Sequence, residues 1–253
     1  MDHKSTPPVT MVDGPKTDRL AVRQHKGAGP GLIWLGGYAS DMLGTKATAL
    51  YDHAAGRGFA CTLFDYSGHG ESDGAFEDGT IGIWARDALH ILDHHTEGPQ
   101  VLVGSSMGGW IAGLLARWRP ERIAGLVLVA PAPDFTDALM PLRMSAEDLS
   151  RIKQDGKLVV PSEYDDSEMV YTAALFSDGD HHLIFDQPLD VDVPVRILSG
   201  MADDVVPWRH VMRYADHLSS TDVVVSLVKA GDHRMSGPEE LKRLFAFVDE
   251  LTA

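Results

Sequence analysis

The chain has 253 residues, 44% of them hydrophobic and 23% charged, which suits one globular domain with a substantial core better than two separate ones. Its 22 Lys and Arg against 37 Asp and Glu give a formal charge of −15, which opposes binding to nucleic acid or to an anionic membrane surface, because every approach to phosphate meets net repulsion. One cysteine, Cys61, excludes an internal disulfide, and its place in the apolar run from Phe59 to Phe64 marks it as a buried core thiol.

The start, Met1 to Pro8, has no apolar segment of the kind a signal peptide carries, and Asp2, Asp13 and Asp18 are out of place in an acid-poor transit peptide. No apolar run approaches the ~20 residues of a membrane span; the best lies around Ile123 to Ala132. The expectation is a soluble, cytoplasmic protein without a membrane span.

In chain order, strands are expected at Leu20 to His25, Gly31 to Leu35, Phe59 to Asp65, Gln100 to Ser105, Ile123 to Ala130, Val195 to Ser199 and Val223 to Lys229. Most are near-continuous apolar runs, as strands covered on both faces should be. Helical patterns fall between them at Lys46 to Arg57, Ile81 to His95, Met107 to Trp118, Arg209 to Leu218 and Glu239 to Leu251. In the last, Leu241, Leu244, Phe245, Val248 and Leu251 follow the i, i+3, i+4 rhythm of one buried stripe. The alternation predicts an α/β protein with a doubly wound, mostly parallel sheet, forming a single domain over residues 1–253.

One connection breaks the rhythm. From Asp134 to Asp190 the chain runs far beyond the usual two to six residues of such a loop, so this stretch reads as an insertion. Helices are expected near Ala146 to Gln154 and Ser167 to Phe176, and apolar residues such as Leu139, Met140, Leu142 and Met144 need a surface to cover. An insertion leaving the carboxyl edge of an open α/β sheet is placed to become a lid.

The residues Gly104-Ser105-Ser106-Met107-Gly108 spell G-x-S-x-G directly after an apolar run. A serine on a sharp strand-to-helix turn is held in a strained backbone region with its hydroxyl pushed into the open, and flanking glycines let strand and helix approach. Ser106 is therefore a candidate nucleophile, and the Met107 N–H, at the first turn of the helix, a candidate donor to an oxyanion. The turn Trp34-Leu35-Gly36-Gly37-Tyr38 offers a second donor, the Tyr38 N–H.

Acyl chemistry through serine also needs a base and a carboxylate that orients it. Two later strand-end loops supply them, one carrying Asp203 and Asp204, the next Asp232 and His233. Either Asp203 or Asp204 can face His233 while the other caps the following helix, and Asp232 is a further candidate. The turn Asp65 to Ser72 reads as a stiffener of the sheet edge, with no catalytic role for His69. His94-His95 and His181-His182 lack partners at metal-ligand spacing, so no metal and no cofactor is expected.

The order Ser106, Asp203, His233 is that of the α/β-hydrolases, and the chain resembles serine hydrolases of that superfamily over essentially its whole length. More narrowly, Gly37 to Ala47, Gly98 to Trp110, Asp203 to Trp208 and Asp232 to Met235 resemble the mitochondrial palmitoyl-protein thioesterase and acyl-glucuronide esterase family. In the superfamily the acid of the G-x-x-D-x-x-V-P pattern is the first aspartate, which places it on Asp203. The resemblance implies cleavage of carboxylic esters or thioesters through an acyl-enzyme, with a small-molecule ester or an acylated protein as substrate.

Tyr38, Trp110, Leu139 and Met140 are the residues expected to line the substrate site. Residues 134–190 carry four Lys or Arg and thirteen Asp or Glu, a net −9 that repels polyanionic coenzyme A thioesters. Arg143, Arg209 or Arg213 can make a local exception for a carboxylate-bearing leaving group. The same scaffold hosts carbon–carbon hydrolases and perhydrolases with the same residues, and a non-catalytic small-molecule receptor is the alternative of another class.

Overall fold

Alternate residues of the central strands face opposite sides of one sheet, and both sides are covered by helices. The structure, a computed structural model, describes residues 8–16, 18–161 and 168–253. The elements in chain order are β1 (Thr10–Asp13), β2 (Arg19–His25), β3 (Ala28–Leu35), α1 (Thr45–Arg57), β4 (Phe59–Phe64), α2 (Ile81–His95), β5 (Gln100–Ser105), α3 (Met107–Trp118) and β6 (Ile123–Val129). They continue with α4 (Phe135–Ala138), α5 (Met140–Arg143), α6 (Ala146–Asp155), β7 (Lys157–Pro161), β8 (Glu168–Thr172), α7 (Ala173–Gly179), β9 (Val195–Gly200), α8 (Trp208–His217), β10 (Val223–Val228) and α9 (Pro238–Leu251).

Eight strands form the main sheet in the order β1-β2-β4-β3-β5-β6-β9-β10. The six from β4 to β10 are parallel, and β1 and β2 join antiparallel at one edge. Ile33, Leu35, Leu102, Leu126 and Leu128 face a core completed by Trp84 of α2, Ile111 of α3 and Val211 and Tyr214 of α8. Their neighbours Leu32, Trp34, Val101, Val103 and Val127 face the opposite core, closed by Leu50 and Ala54 of α1 and Leu244 and Val248 of α9. This two-sided burial is why these strands read as continuous apolar runs. Cys61 is buried as expected, and burial pushes its thiol pKa up.

The stretch between β6 and β9 departs from the sequence reading at its second helix, and it adds the short helices α4 and α5 and strand β7, which that reading did not place. A helix over 167–176 is not formed: residue 167 lies outside the described residues, Glu168–Thr172 is strand β8, paired antiparallel with β7, and only Ala173–Gly179 is helical. Met169, Val170, Tyr171 and Thr172 are strand-favouring side chains, and Thr172 ends the strand by capping α7, its hydroxyl accepting from the Leu175 N–H at 3.1 Å. Helix α6 follows expectation, entered through a capping box of Ser145 and Asp148 and ended by Gly156 in the left-handed region. The first seven residues, which include most of the leader reading, also lie outside the described residues.

The two ends of this stretch are tied to each other, and its last helix and the turn after it to α2 and α3. Asp134, itself at φ +54°, accepts from the N–H groups of Ile184 and Phe185, both at 2.8 Å. Asp178 accepts from the Gly82 N–H at the start of α2 at 2.6 Å, and Trp110 donates its indole N–H to the His182 carbonyl at 3.0 Å.

The turn from β5 to α3 is tight enough to exclude side chains. A Cβ on Gly108 would lie 2.0 Å from the Leu35 carbonyl oxygen, and one on Gly104 would lie 2.5 Å from the Gly108 carbonyl oxygen. Since the clash is with backbone, no rotamer relieves it. Gly108→Ala is therefore expected to lower the unfolding free energy by about 1–3 kcal/mol, read from the shift of the urea midpoint at unchanged slope. An unshifted midpoint would contradict this packing.

Candidate active site

Ser106 links β5 to α3 with φ +52° and ψ −116°, a conformation strained for a residue with a Cβ. The surrounding backbone holds it there. Its N–H donates to the Val129 carbonyl at 2.9 Å, and its carbonyl accepts from the N–H groups of Gly109 at 2.9 Å and Ala132 at 3.0 Å. Strand β6 thus fixes the turn from one side while the glycines admit β3 from the other.

The next two parallel strands end at the same edge. After β9 the chain turns through Asp203, and after β10 through His233. The two loops touch because both carry glycine: a Cβ on Gly200 would lie 2.1 Å from the Gly231 carbonyl oxygen. Their hydrogen bonds reinforce the approach, the Ala202 N–H donating to that same carbonyl at 3.0 Å.

His233 bridges the two other residues. Its Nδ1 lies 2.8 Å from Asp203 Oδ2 and its Nε2 lies 3.1 Å from Ser106 Oγ. With the Nδ1–H donated to the carboxylate, Nε2 is left as acceptor for the serine O–H. The Asp203 side chain is wholly shielded from solvent and its other oxygen accepts from the N–H groups of Val205 and Val206, both at 2.8 Å. One carboxylate therefore caps the chain ahead of α8 and also faces the imidazole, two tasks the sequence divided between neighbours. Asp204 is exposed, and Asp232 turns its carboxylate to the Met235 N–H at 3.1 Å.

Gly37, the residue before Tyr38, lies beside Ser106: a Cβ on it would be 3.5 Å from Ser106 Cβ. Met107 is the first residue of α3, where an N–H has no acceptor within the helix. Trp110 is wholly buried beneath the elbow with its edge against Phe135, and Leu139 and Met140 are buried where α4 meets α5.

The Asp65–Ser72 turn pins the neighbouring loop. Asp65 accepts from the N–H groups of Met42 at 2.7 Å and Glu71 at 2.9 Å, while Ser72 Oγ donates to the Asp65 carbonyl at 2.6 Å. His69 is buried among Tyr66, Phe76 and Trp84, and burial lowers its pKa to about 4, so it is neutral at pH 7.

Two contacts gave no local signal in the sequence. Lys46 at the start of α1 donates to the Arg234 carbonyl at 2.5 Å, next to His233, and burial draws its pKa down to about 8 against the pull of Asp232. Tyr38 donates its hydroxyl to the Val170 carbonyl of β8. Among the described residues no cluster of three or more His, Cys, Asp or Glu is placed to hold a metal ion, and no helix is long and apolar enough to cross a membrane.

Residues 46–157 match the family model of the alpha/beta hydrolase fold. The chain is 40% identical over 248 residues to the human mitochondrial palmitoyl-protein thioesterase ABHD10, an alignment covering 96% of this chain and 79% of the relative. It superposes on a crystal structure from Agrobacterium vitis S4 with a TM-score of 0.91 and 39% identity, covering 97% of this chain and all of that one. The mouse alpha/beta hydrolase domain-containing protein 10 gives a TM-score of 0.89 at 36% identity, covering 96% and 98% of the two chains. These curated relatives are named as mitochondrial, so they lend no support to the expected cytoplasmic location. With its sheet order and identity of this extent, the chain belongs to the α/β-hydrolase family, is a hydrolase, and resembles the ABHD10 thioesterases within it.

Proposed function

We propose that the protein hydrolyses carboxylic esters or thioesters through an acyl-enzyme formed on Ser106, acting as an esterase or acyl-protein thioesterase. The observation that carries this reading is the hydrogen-bonded line Asp203–His233–Ser106. In the first step Ser106 Oγ attacks the acyl carbonyl carbon as His233 Nε2 takes its proton. Asp203 holds the tautomer and stabilises the resulting imidazolium. The N–H groups of Met107 and Tyr38 receive the oxyanion, each donor of this kind supplying roughly 3 kcal/mol of transition-state stabilisation. Collapse breaks the bond to the alcohol or thiol, which leaves with the proton from His233. Water, deprotonated by His233, then attacks the acyl-serine, and the bond to Ser106 Oγ breaks as His233 returns the proton to it, releasing the acid.

Residues 134–190 act in this reading as a cover over the site. Their buried apolar residues Leu139 and Met140 and their net −9 favour a neutral or apolar acyl group over a polyanionic thioester. The name of the human relative adds an acylated protein to the substrates worth testing. A series of p-nitrophenyl esters from acetate to palmitate, run beside a palmitoyl-thioester peptide, measures the preference.

Three substitutions test the assignment. Ser106→Ala is expected to fold and to lower kcat on p-nitrophenyl acetate by at least about 10⁴-fold; retained turnover would overturn the reading. Asp203→Asn is expected to lower kcat by about 10⁴-fold, the size of the effect for an equivalent change in a serine protease, while Asp204→Asn stays close to wild type. A larger loss from the second would move the acid to Asp204.

A further inference from the structure

Tyr38 is one residue with two attachments. Its backbone belongs to the turn beside Ser106, while its side chain is gripped by the β7–β8 hairpin more than a hundred residues away in sequence. The hydroxyl donates to the Val170 carbonyl, and the ring stacks on Tyr171 of the same strand, with centroids 5.5 Å apart and planes within 7°. Phe76, Trp84 and Phe135 surround it edge-on at 5.1, 5.7 and 5.9 Å. The hairpin is itself held to this cluster, since Lys157 of β7 pairs with Glu77, next to Phe76, at 2.7 Å.

The turn is closed by one backbone bond of its own, the Ser40 N–H donating to the Gly37 carbonyl at 3.2 Å. The two glycines before Tyr38 bring no side chain of their own to brace the turn. Ala39 follows at φ +54°, an unfavourable setting that the turn must be held in. The Gly37–Tyr38 peptide plane is therefore held at the Gly37 carbonyl by that bond and at Tyr38 by its anchored side chain. Burial, assisted by Tyr171, raises the hydroxyl pKa, so the group remains a protonated donor to Val170.

We propose that strand β8 positions the oxyanion donor: by holding the Tyr38 hydroxyl and ring, Val170 and Tyr171 aim the Tyr38 N–H at the reacting carbonyl, coupling a seated hairpin to catalytic competence. Tyr171 and the Tyr38 hydroxyl are positioning groups that act through a backbone donor. The inference rests on the hydrolase reading. It adds that a substrate too bulky to leave the hairpin seated is turned over slowly even when it binds well.

Tyr38→Phe removes the hydroxyl and keeps the ring; Tyr171→Ala removes the stacked partner and leaves residue 38 intact. With p-nitrophenyl acetate, whose acyl group is too small to need the hairpin for binding, both variants are expected to lower kcat roughly 10–100-fold. KM should stay within about twofold, the pattern of an interaction made only in the transition state. A trifluoromethyl ketone inhibitor should lose affinity by a factor similar to that in kcat. Hydrogen exchange should quicken both in β8 and in residues 36–40. Wild-type kcat in either folded variant, or a rise in KM alone, would overturn the coupling while leaving the hydrolase reading intact. Loss of wild-type turnover dependence on Ser106 would overturn both.

Discussion

The line of hydrogen bonds through His233 exists because three parallel strands stop at one edge of a twisted sheet. β5, β9 and β10 end at Ser105, Gly200 and Val228, and each next turn delivers one side chain: Ser106, Asp203 and His233. Close approach is the constraint behind this. Glycine at 104 and 108 brings α3 against β3, and glycine at 200 and 231 brings the two later loops together. Ser106 then sits at positive φ, a strain of about 1–3 kcal/mol, offset by three backbone hydrogen bonds of its own peptide groups. In the proposed reading, a nucleophile held by fixed backbone loses little freedom when it meets substrate, which is what positioning contributes to rate.

Much of this was legible from residue order alone. Strands buried on both faces leave continuous apolar runs, and the elbow leaves G-x-S-x-G, so the sheet, its helices and the three side chains could be read in advance. Asp203 could not be separated from Asp204 by local chemistry, since both stand before the same helix; the resemblance favoured the first. In the structure Asp203 caps the Val205 and Val206 N–H groups and faces the imidazole with its other oxygen, leaving Asp204 in solvent. The failures lie where tertiary contact outweighs local pattern. Residues 168–172 have apolar side chains at spacings compatible with a helix, but pairing with β7 makes them a strand. Short β1 gave no strand signal of its own and is defined by its ladder with β2.

The contacts hardest to foresee are those that close residues 134–190 on themselves and tie them to α2, α3 and the Tyr38 turn. Asp134 to Ile184 and Phe185, Asp178 to Gly82, Trp110 to His182 and Tyr38 to Val170 span 50 to 132 positions of sequence. Each satisfies a polar group that is buried, as the Asp134 carboxylate and Trp110 indole are, or half-buried, as the Asp178 carboxylate and Tyr38 phenol are, and that would otherwise be costly to desolvate. The same bonds that make these side chains affordable inside the protein also carry the position of the β6–β9 segment to the residues around Ser106. Acidic charge is concentrated in that segment, which carries a net −9.

The central claim is that Ser106 is activated by His233 held by Asp203. Intact-mass and peptide mass spectrometry after treatment with a fluorophosphonate test it most directly, because the reagent reports nucleophilicity at a single atom. The account predicts one adduct, on Ser106, with the labelling rate falling steeply in His233→Ala. An adduct on another residue, or labelling of Ser106 at the same rate without His233, would contradict it.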